Sequence, residues 1–306
     1  MAFDPHRHRV QLFTGKGGVG KSSVVAAHAL ASAAAGHRPL VVELGHRATM
    51  ESIFDVAPIG YEPTPVGDGV HACNLVLEDA LTDYVREQVK VRALASRIVR
   101  QPTLRRFFEA APAVNEVVAL RRLARLADSG AFHPILVDLD ATGHALMFLG
   151  LADVFEGLVG AGPLQAILDA TTSLLHDAAR TVLHLVTLPA ELPAREAVQL
   201  HARLVAERRV ALGALVINRV PSSPFDTNDE EALEALEAFV PADVALGRRA
   251  LRRVQHAHAR VAQLRHELPL PTVVLAERDA LRAAGSDRRV LAALGRDFAA
   301  QLGGAA

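Results

Sequence analysis

The nine residues Gly15-Lys16-Gly17-Gly18-Val19-Gly20-Lys21-Ser22-Ser23 hold two ammonium groups and two hydroxyls in a glycine-rich stretch. Gly15, Gly20, Lys21 and Ser22 fill the pattern GxxxxGK[ST] of a phosphate-binding loop. Glycines let backbone N–H groups turn inward around phosphate oxygens, at approach distances that a Cβ would obstruct. An apolar run, Val10 to Thr14, precedes the loop and an alanine-rich helical stretch follows it. That strand-loop-helix setting separates such loops from chance matches, and it aims the positive end of the helix at the same anion. The chemistry implied is charge neutralisation of β and γ phosphates by Lys21 and ligation of Mg²⁺ by the Ser22 hydroxyl.

A second group of polar residues closes an apolar run: Val137-Asp138-Leu139-Asp140-Ala141-Thr142-Gly143-His144, after the predicted strand Pro134 to Leu139. An aspartate ending such a strand can hold a Mg²⁺-bound water opposite the phosphate loop, and a following glycine can offer its N–H to a γ-phosphate. Asp138 is the first candidate and Asp140 the second. Two further strands end in polar residues: Pro39 to Glu43 in a carboxylate, and Ala211 to Ile217 in Asn218-Arg219, where an amide can read an adenine edge.

Apolar runs of strand length alternate with helical patterns along the chain, which predicts an α/β fold with a mostly parallel, doubly wound sheet flanked by helices. Further predicted strands are Val70 to Leu77, Thr181 to Thr187 and Pro269 to Leu275. Predicted helices include Pro112 to Asp128, Pro193 to Arg208, Asp226 to Phe239, Leu246 to Glu267 and Asp287 to Leu302. Pro58 to Gly69 reads as a loop. Glu78 to Glu109 carries two helical patterns split near Lys90, with an arginine-bearing face expected to be solvated. No linker divides residues 1–306, so one domain is expected, with a helical apolar subregion at about 145–180 that serves as core and dimer interface or as a groove for an apolar client.

Composition narrows the partners. A formal net charge of −1 and dispersed arginines give no electrostatic reason to expect nucleic-acid binding. The apolar subregion is broken by Asp153, Glu156 and Asp169, the N-terminus lacks a signal-peptide core, and no terminal basic amphipathic helix is seen; a membrane role is not expected. The single cysteine, Cys73, suits a reducing cytoplasm, permits no intramolecular disulfide or CxxC zinc site, and reads as a small buried hydrophobe. His256 and His258, two residues apart on a helix, fall on different faces and do not suggest a metal site. Of the three lysines, Lys16, Lys21 and Lys90, two sit in the loop of a chain that otherwise uses arginine. Compact ammonium groups fit there better than a rigid guanidinium fork.

The loop GKGGVGKSS, with its extra Lys16, resembles the deviant phosphate loop of the ArsA, MinD and ParA ATPases. Nearly the whole chain resembles the ArsA family of arsenical pump-driving ATPases, whose eukaryotic relatives deliver tail-anchored membrane proteins. FTGKGGVGKSSVVAAHALASAAAG is similar to that family's first strand, loop and helix, and VDLDATGH to its switch II. LVINRV is similar to the strand bearing its adenine-contacting asparagine, and LPLPTVVLAERDALRA to the segment closing over the base. The resemblance implies a P-loop NTPase that binds ATP and Mg²⁺ through Gly15, Lys16, Gly17, Gly18, Val19, Gly20, Lys21, Ser22 and Ser23. Asp138 takes the Mg²⁺-water role, Gly143 and His144 belong to switch II, and Asn218 meets adenine. Lys16 reaches across a homodimer or heterodimer to the partner's nucleotide, and nucleotide state is coupled to an unknown protein client.

Three departures from the family shape the expectation. The switch I aspartate that activates water is replaced by Gly45 in an ungapped alignment, leaving Glu43 as the nearest carboxylate. The dimer-forming zinc cysteines are missing, so no zinc is expected. Arsenite needs several thiolates, which one cysteine cannot supply. The expected function is an ATP-hydrolysing dimeric switch. The alternatives are a non-hydrolysing scaffold or pseudo-ATPase subunit of a heterodimer, and a ParA or MinD-type positioning ATPase.

Overall fold

The computed structural model describes residues 6–44, 48–88, 114–139, 142–151, 163–222, 229–278 and 287–303. In chain order these form β1 (Val10–Thr14), α1 (Lys21–Ala34), β2 (Leu40–Glu43), α2 (Thr49–Phe54), β3 (Thr64–Gly67), β4 (Val70–Asn74) and α3 (Leu77–Gln88). Then follow α4 (Val114–Asp128), β5 (Ile135–Asp138), α5 (Thr142–Leu149), α6 (Pro163–His176), β6 (Thr181–Thr187) and α7 (Glu191–Glu207). The chain continues with β7 (Leu212–Val220), α8 (Asp229–Leu236), α9 (Pro241–Glu267), β8 (Thr272–Ala276) and α10 (Asp287–Gly303).

The strands make one eight-stranded sheet in the order β3-β4-β2-β5-β1-β6-β7-β8. Every neighbouring pair is parallel except β3 with β4. Strands β1, β2 and β6 are buried along their full length, the signature of a sheet covered on both faces. On one face α1 and α10 pack Val24, Val25, Leu294 and Phe298 against Phe13, Val41 and Val216. On the other, Leu120, Phe148, Leu168, Leu200 and Leu264 of α4, α5, α6, α7 and α9 pack against Leu12, Leu40, Val137 and Leu215. Helix α9 shows how pattern sets position: Val244, Leu251, Val254, Ala257, Val261 and Leu264 recur at helical spacing and are buried, while His256 and His258 face solvent. Among the described residues no helix is long and apolar enough to cross a membrane.

The order of strands matters for the site. The chain moves outward from β1 to β2 and on to β3 at the edge, comes back through β4 to insert β5 between β2 and β1, then moves outward the other way through β6, β7 and β8. Loops leaving β1, β2 and β5 therefore open a crevice at the carboxyl end of the sheet, where folds of this kind take ligands.

Two local expectations change. Pro58 to Gly69 is not all loop: β3 forms an antiparallel edge hairpin with β4, turning through Asp68 (φ 51°) and Gly69 (φ 77°). The Asp-Gly pair is a two-residue hairpin signal, and Pro65 is tolerated because the strand lies at the sheet edge. Helix α9 starts at Pro241, ahead of the expected Leu246, with proline in the first turn where its missing N–H costs nothing. In the apolar stretch beginning at 145, Ala145, Phe148, Leu149, Leu151, Leu168, Leu174 and Leu175 are buried in the core; residues 152–162 lie outside the described residues. So do residues 89–113, with the second helical pattern expected there.

Candidate nucleotide-binding site

The loop after β1 needs its glycines for two separate reasons. A Cβ on Gly15 would lie 2.0 Å from the Val186 carbonyl oxygen, because the loop passes hard against β6. Gly20 caps α1 in the left-handed region, φ 89°, and a Cβ there would lie 2.4 Å from Asn218 Nδ2. Helix α1 has no side-chain cap and no acidic residue in its first turn, so its positive end faces the crevice without a competing carboxylate of its own. Lys21 Nζ donates to the Gly15 and Lys16 carbonyls at 3.1 and 3.3 Å, folding its ammonium back over the loop.

Folding brings the two sequence constellations into contact. Ser22 Oγ donates to Asp138 Oδ2 at 2.5 Å, joining residues 116 apart in the chain. Register places Glu43 of β2 directly beside Asp138 of β5, so two carboxylates end neighbouring strands. Glu43 is almost fully buried, and its Oε1 accepts the backbone N–H groups of Thr49 and Met50 at 2.8 and 3.1 Å, where it caps α2. Its Oε2 is buried and, among the described residues, has no hydrogen-bond partner. Burial pushes the Glu43 carboxyl up to about 7, and the Asp138 and Glu51 carboxylates push the same way against the two N–H bonds. A carboxyl poised there can exchange a proton at neutral pH. Cys73, on β4, is fully buried and its thiol is pushed up to about 12 by burial, so it is an inert core residue.

Lys16, expected to reach toward a partner's nucleotide, forms an ion pair with Glu196 of α7 in its own chain, both side chains remaining partly exposed. Gly143 and His144 lie in the first turn of α5, directly after β5. Gly45 and Asp140 lie outside the described residues.

A cleft of about 390 Å³ opens beyond the loop, lined by Ser23, Ser52, Ile53, Asn218, Arg219, Ala276, Glu277, Arg278, Val290, Leu291 and Leu294. Asn218 is buried within this lining. Its Nδ2 donates to the Val19 carbonyl and its Oδ1 accepts the Arg219 N–H, both at 2.9 Å. The amide expected to read a base therefore also braces the phosphate loop.

A family model described as anion-transporting ATPase matches residues 8–165, which takes in the loop, Glu43, Asp138 and Gly143. The chain belongs to the ArsA ATPase family. ATPase BagA of Mycobacterium tuberculosis (strain ATCC 25618 / H37Rv) is 30% identical over 247 residues, covering 77% of this chain and 71% of that protein. Protein Rv2184c of the same strain is 30% identical over 260 residues, covering 71% of this chain and 60% of that one. ATPase ASNA1 homolog 1 of Paramecium tetraurelia is 26% identical over 145 residues, covering 46% of this chain and 43% of that protein.

For an ArsA-family ATPase the donor set at Ser22 and Asp138 is chemically suitable for Mg²⁺: one hydroxyl and one carboxylate, with phosphate and water left to complete an oxygen shell. Two members of the site were not found from sequence. Glu196 sits within a helix whose sequence carries no signal of a site, and packing of α7 against β6 sets it beside Lys16. Arg219 follows Asn218 in the chain, but its left-handed backbone, φ 52°, has no glycine or asparagine to announce it.

Proposed function

We propose that this ArsA-family chain is a cytoplasmic, ATP-hydrolysing switch that works as a homodimer or heterodimer and couples its nucleotide state to a protein client. The observation that carries the reading is the Ser22–Asp138 hydrogen bond, which sets the hydroxyl after the loop lysine against the carboxylate ending β5. The loop N–H groups and Lys21 hold the β and γ phosphates, Ser22 and Asp138 hold Mg²⁺ or its water, and Asn218 meets adenine. Bound Mg²⁺ would neutralise charge developing on the phosphates. Glu43 takes the place of the missing switch I aspartate: its shared proton affinity near neutrality lets it accept a proton from a water attacking the γ-phosphate. Gly143, at the head of α5, offers its N–H to that phosphate, so that α5 follows nucleotide state. Lys16 exchanges Glu196 for the nucleotide of the second subunit when the dimer closes.

One observation favours a second reading. Glu43 Oε1 already holds the start of α2, so the carboxylate can serve structure alone, leaving ATP bound without turnover in a scaffold or pseudo-ATPase subunit. Phosphate release from Mg²⁺-ATP, with Lys21→Ala as the blank and bound nucleotide quantified in parallel, decides between them. Turnover above the blank supports the switch, and bound ATP without turnover supports the scaffold. Absence of ATP binding overturns both.

A further inference from the structure

Among the described residues that line the cleft, charges are paired with one exception. Glu277 accepts from Arg253 at 2.9 and 2.7 Å, and Arg278 forms an ion pair with Asp297. The Arg219 guanidinium lines the same cleft and, among the described residues, has neither a hydrogen bond nor an ion pair. Its backbone is held in an uncommon state: the β7–β8 register shifts between Ile217 and Val220, and Arg219 sits at φ 52°, a region where a residue with a Cβ is strained. Backbone strain of this kind persists where surrounding structure over-determines it. Here the Asn218 side chain does so, accepting the Arg219 N–H while donating to the Val19 carbonyl of the phosphate loop.

The lining also says which part of a nucleotide Arg219 meets. None of the loop residues Gly15 to Ser22 lines the cleft; its contact with α1 begins at Ser23. Phosphates gathered at the loop therefore leave the sugar and base to occupy the cleft, whose lining includes the apolar Val290, Leu291 and Leu294 of α10 and Ile53 of α2. A planar, weakly hydrated guanidinium sharing a cleft with apolar side chains suits an aromatic heterocycle.

Building on the reading of Gly15 to Ser23 as the phosphate site, we propose that Arg219 is the base-directed specificity contact, its guanidinium stacking on the nucleobase. The test is equilibrium binding of Mg²⁺-ATP and of Mg²⁺-tripolyphosphate, which lacks base and sugar, to the full chain and to Arg219→Ala, Arg219→Lys and Arg219→Gly. Arg219→Ala should weaken ATP about tenfold and leave tripolyphosphate unchanged. Lysine, which restores charge but not the plane, should recover little of the loss. Arg219→Gly accommodates the left-handed backbone, so its ATP loss cannot be assigned to misfolding while its tripolyphosphate affinity is intact. Equal losses for both ligands with rescue by lysine would make Arg219 a phosphate-attracting charge and overturn the proposal, as would unchanged ATP affinity. Failure of the phosphate-site reading looks different: wild type and Lys21→Ala would bind tripolyphosphate equally poorly, and the base contact would fall with it.

Discussion

Polar side chains gather in two regions of this sheet, and the two are completed differently. Beneath α1, Gln11 Oε1 accepts from His28 Nε2 at 3.0 Å and from His184 Nε2 at 3.3 Å, while His184 Nδ1 accepts the Ala214 N–H at 3.0 Å. Because the ring's second nitrogen is an acceptor, His184 is held neutral with its proton on Nε2, and burial, with His8 nearby, pushes it down to about 3. At the carboxyl end of the same sheet, neither Glu43 Oε2 nor the Arg219 guanidinium has a hydrogen-bond partner among the described residues. The first region ties side chains of β1, α1 and β6 to one another and to the backbone of β7, and so specifies packing. The second leaves groups over, and those groups are the ones with chemistry still to do.

Breaking Glu43 should separate the two regions most sharply. Glu43→Gln keeps an oxygen for the Thr49 and Met50 N–H groups but cannot accept a proton. Phosphate release should fall by about 10² to 10⁴ with ATP still bound. Wild-type turnover should rise as pH increases through about 7, where Glu43 loses its proton, and flatten above it. A pH-independent rate would exclude Glu43 as the base.

Lys16→Ala comes next: nucleotide binding to the monomer should be retained while the ATP-dependent increase in light-scattering mass disappears. An unchanged mass increase would exclude bridging by Lys16.

Stability should respond to pH with opposite signs in the two regions. His184 has its folded pKa at about 3, below an ordinary value of 6.5, so the unfolded chain takes up its proton first and stability falls as pH drops below 6.5. From pH 7 to 5 that loss is about 2 kcal/mol in urea unfolding, and it should be absent in His184→Gln, which has no such proton to take up. Glu43 has its folded pKa raised from 4.5 to about 7, so its contribution is present below pH 4.5 and is lost as pH rises through 7. Glu43→Gln should therefore gain stability relative to wild type at pH 8 compared with pH 4.5.

The smallest effect is expected at Glu196. Its ion pair with Lys16 is partly exposed, and such pairs are worth up to about 1 kcal/mol. Glu196→Gln should tighten the ATP-dependent dimer severalfold by releasing Lys16, as read by the concentration dependence of light scattering. A weakened dimer would show that Glu196 positions Lys16 instead of restraining it.

Sequence alone determined the elements and their chemistry wherever the deciding interaction is local. The bounds of β1 and β6 follow from strand-length runs that are apolar but for Gln11, His184 and their terminal threonines. The loop follows from glycines that its own turns require, and the end of α1 from Gly36 (φ 86°). It also marked Ser22, Glu43, Asp138 and Asn218, because each polar residue ends or follows a strand or loop of recognisable type. Tertiary structure alone decided what those residues touch. Ser22 meets Asp138 because β5 inserts beside β1, a choice of strand order that no local pattern encodes. Glu43 gains its raised proton affinity from burial beside Asp138, Asn218 its second duty from contact with Val19, and Lys16 its in-chain partner from the packing of α7. These are contacts between residues far apart in the chain, and their energies depend on burial and register that exist only after the sheet has assembled.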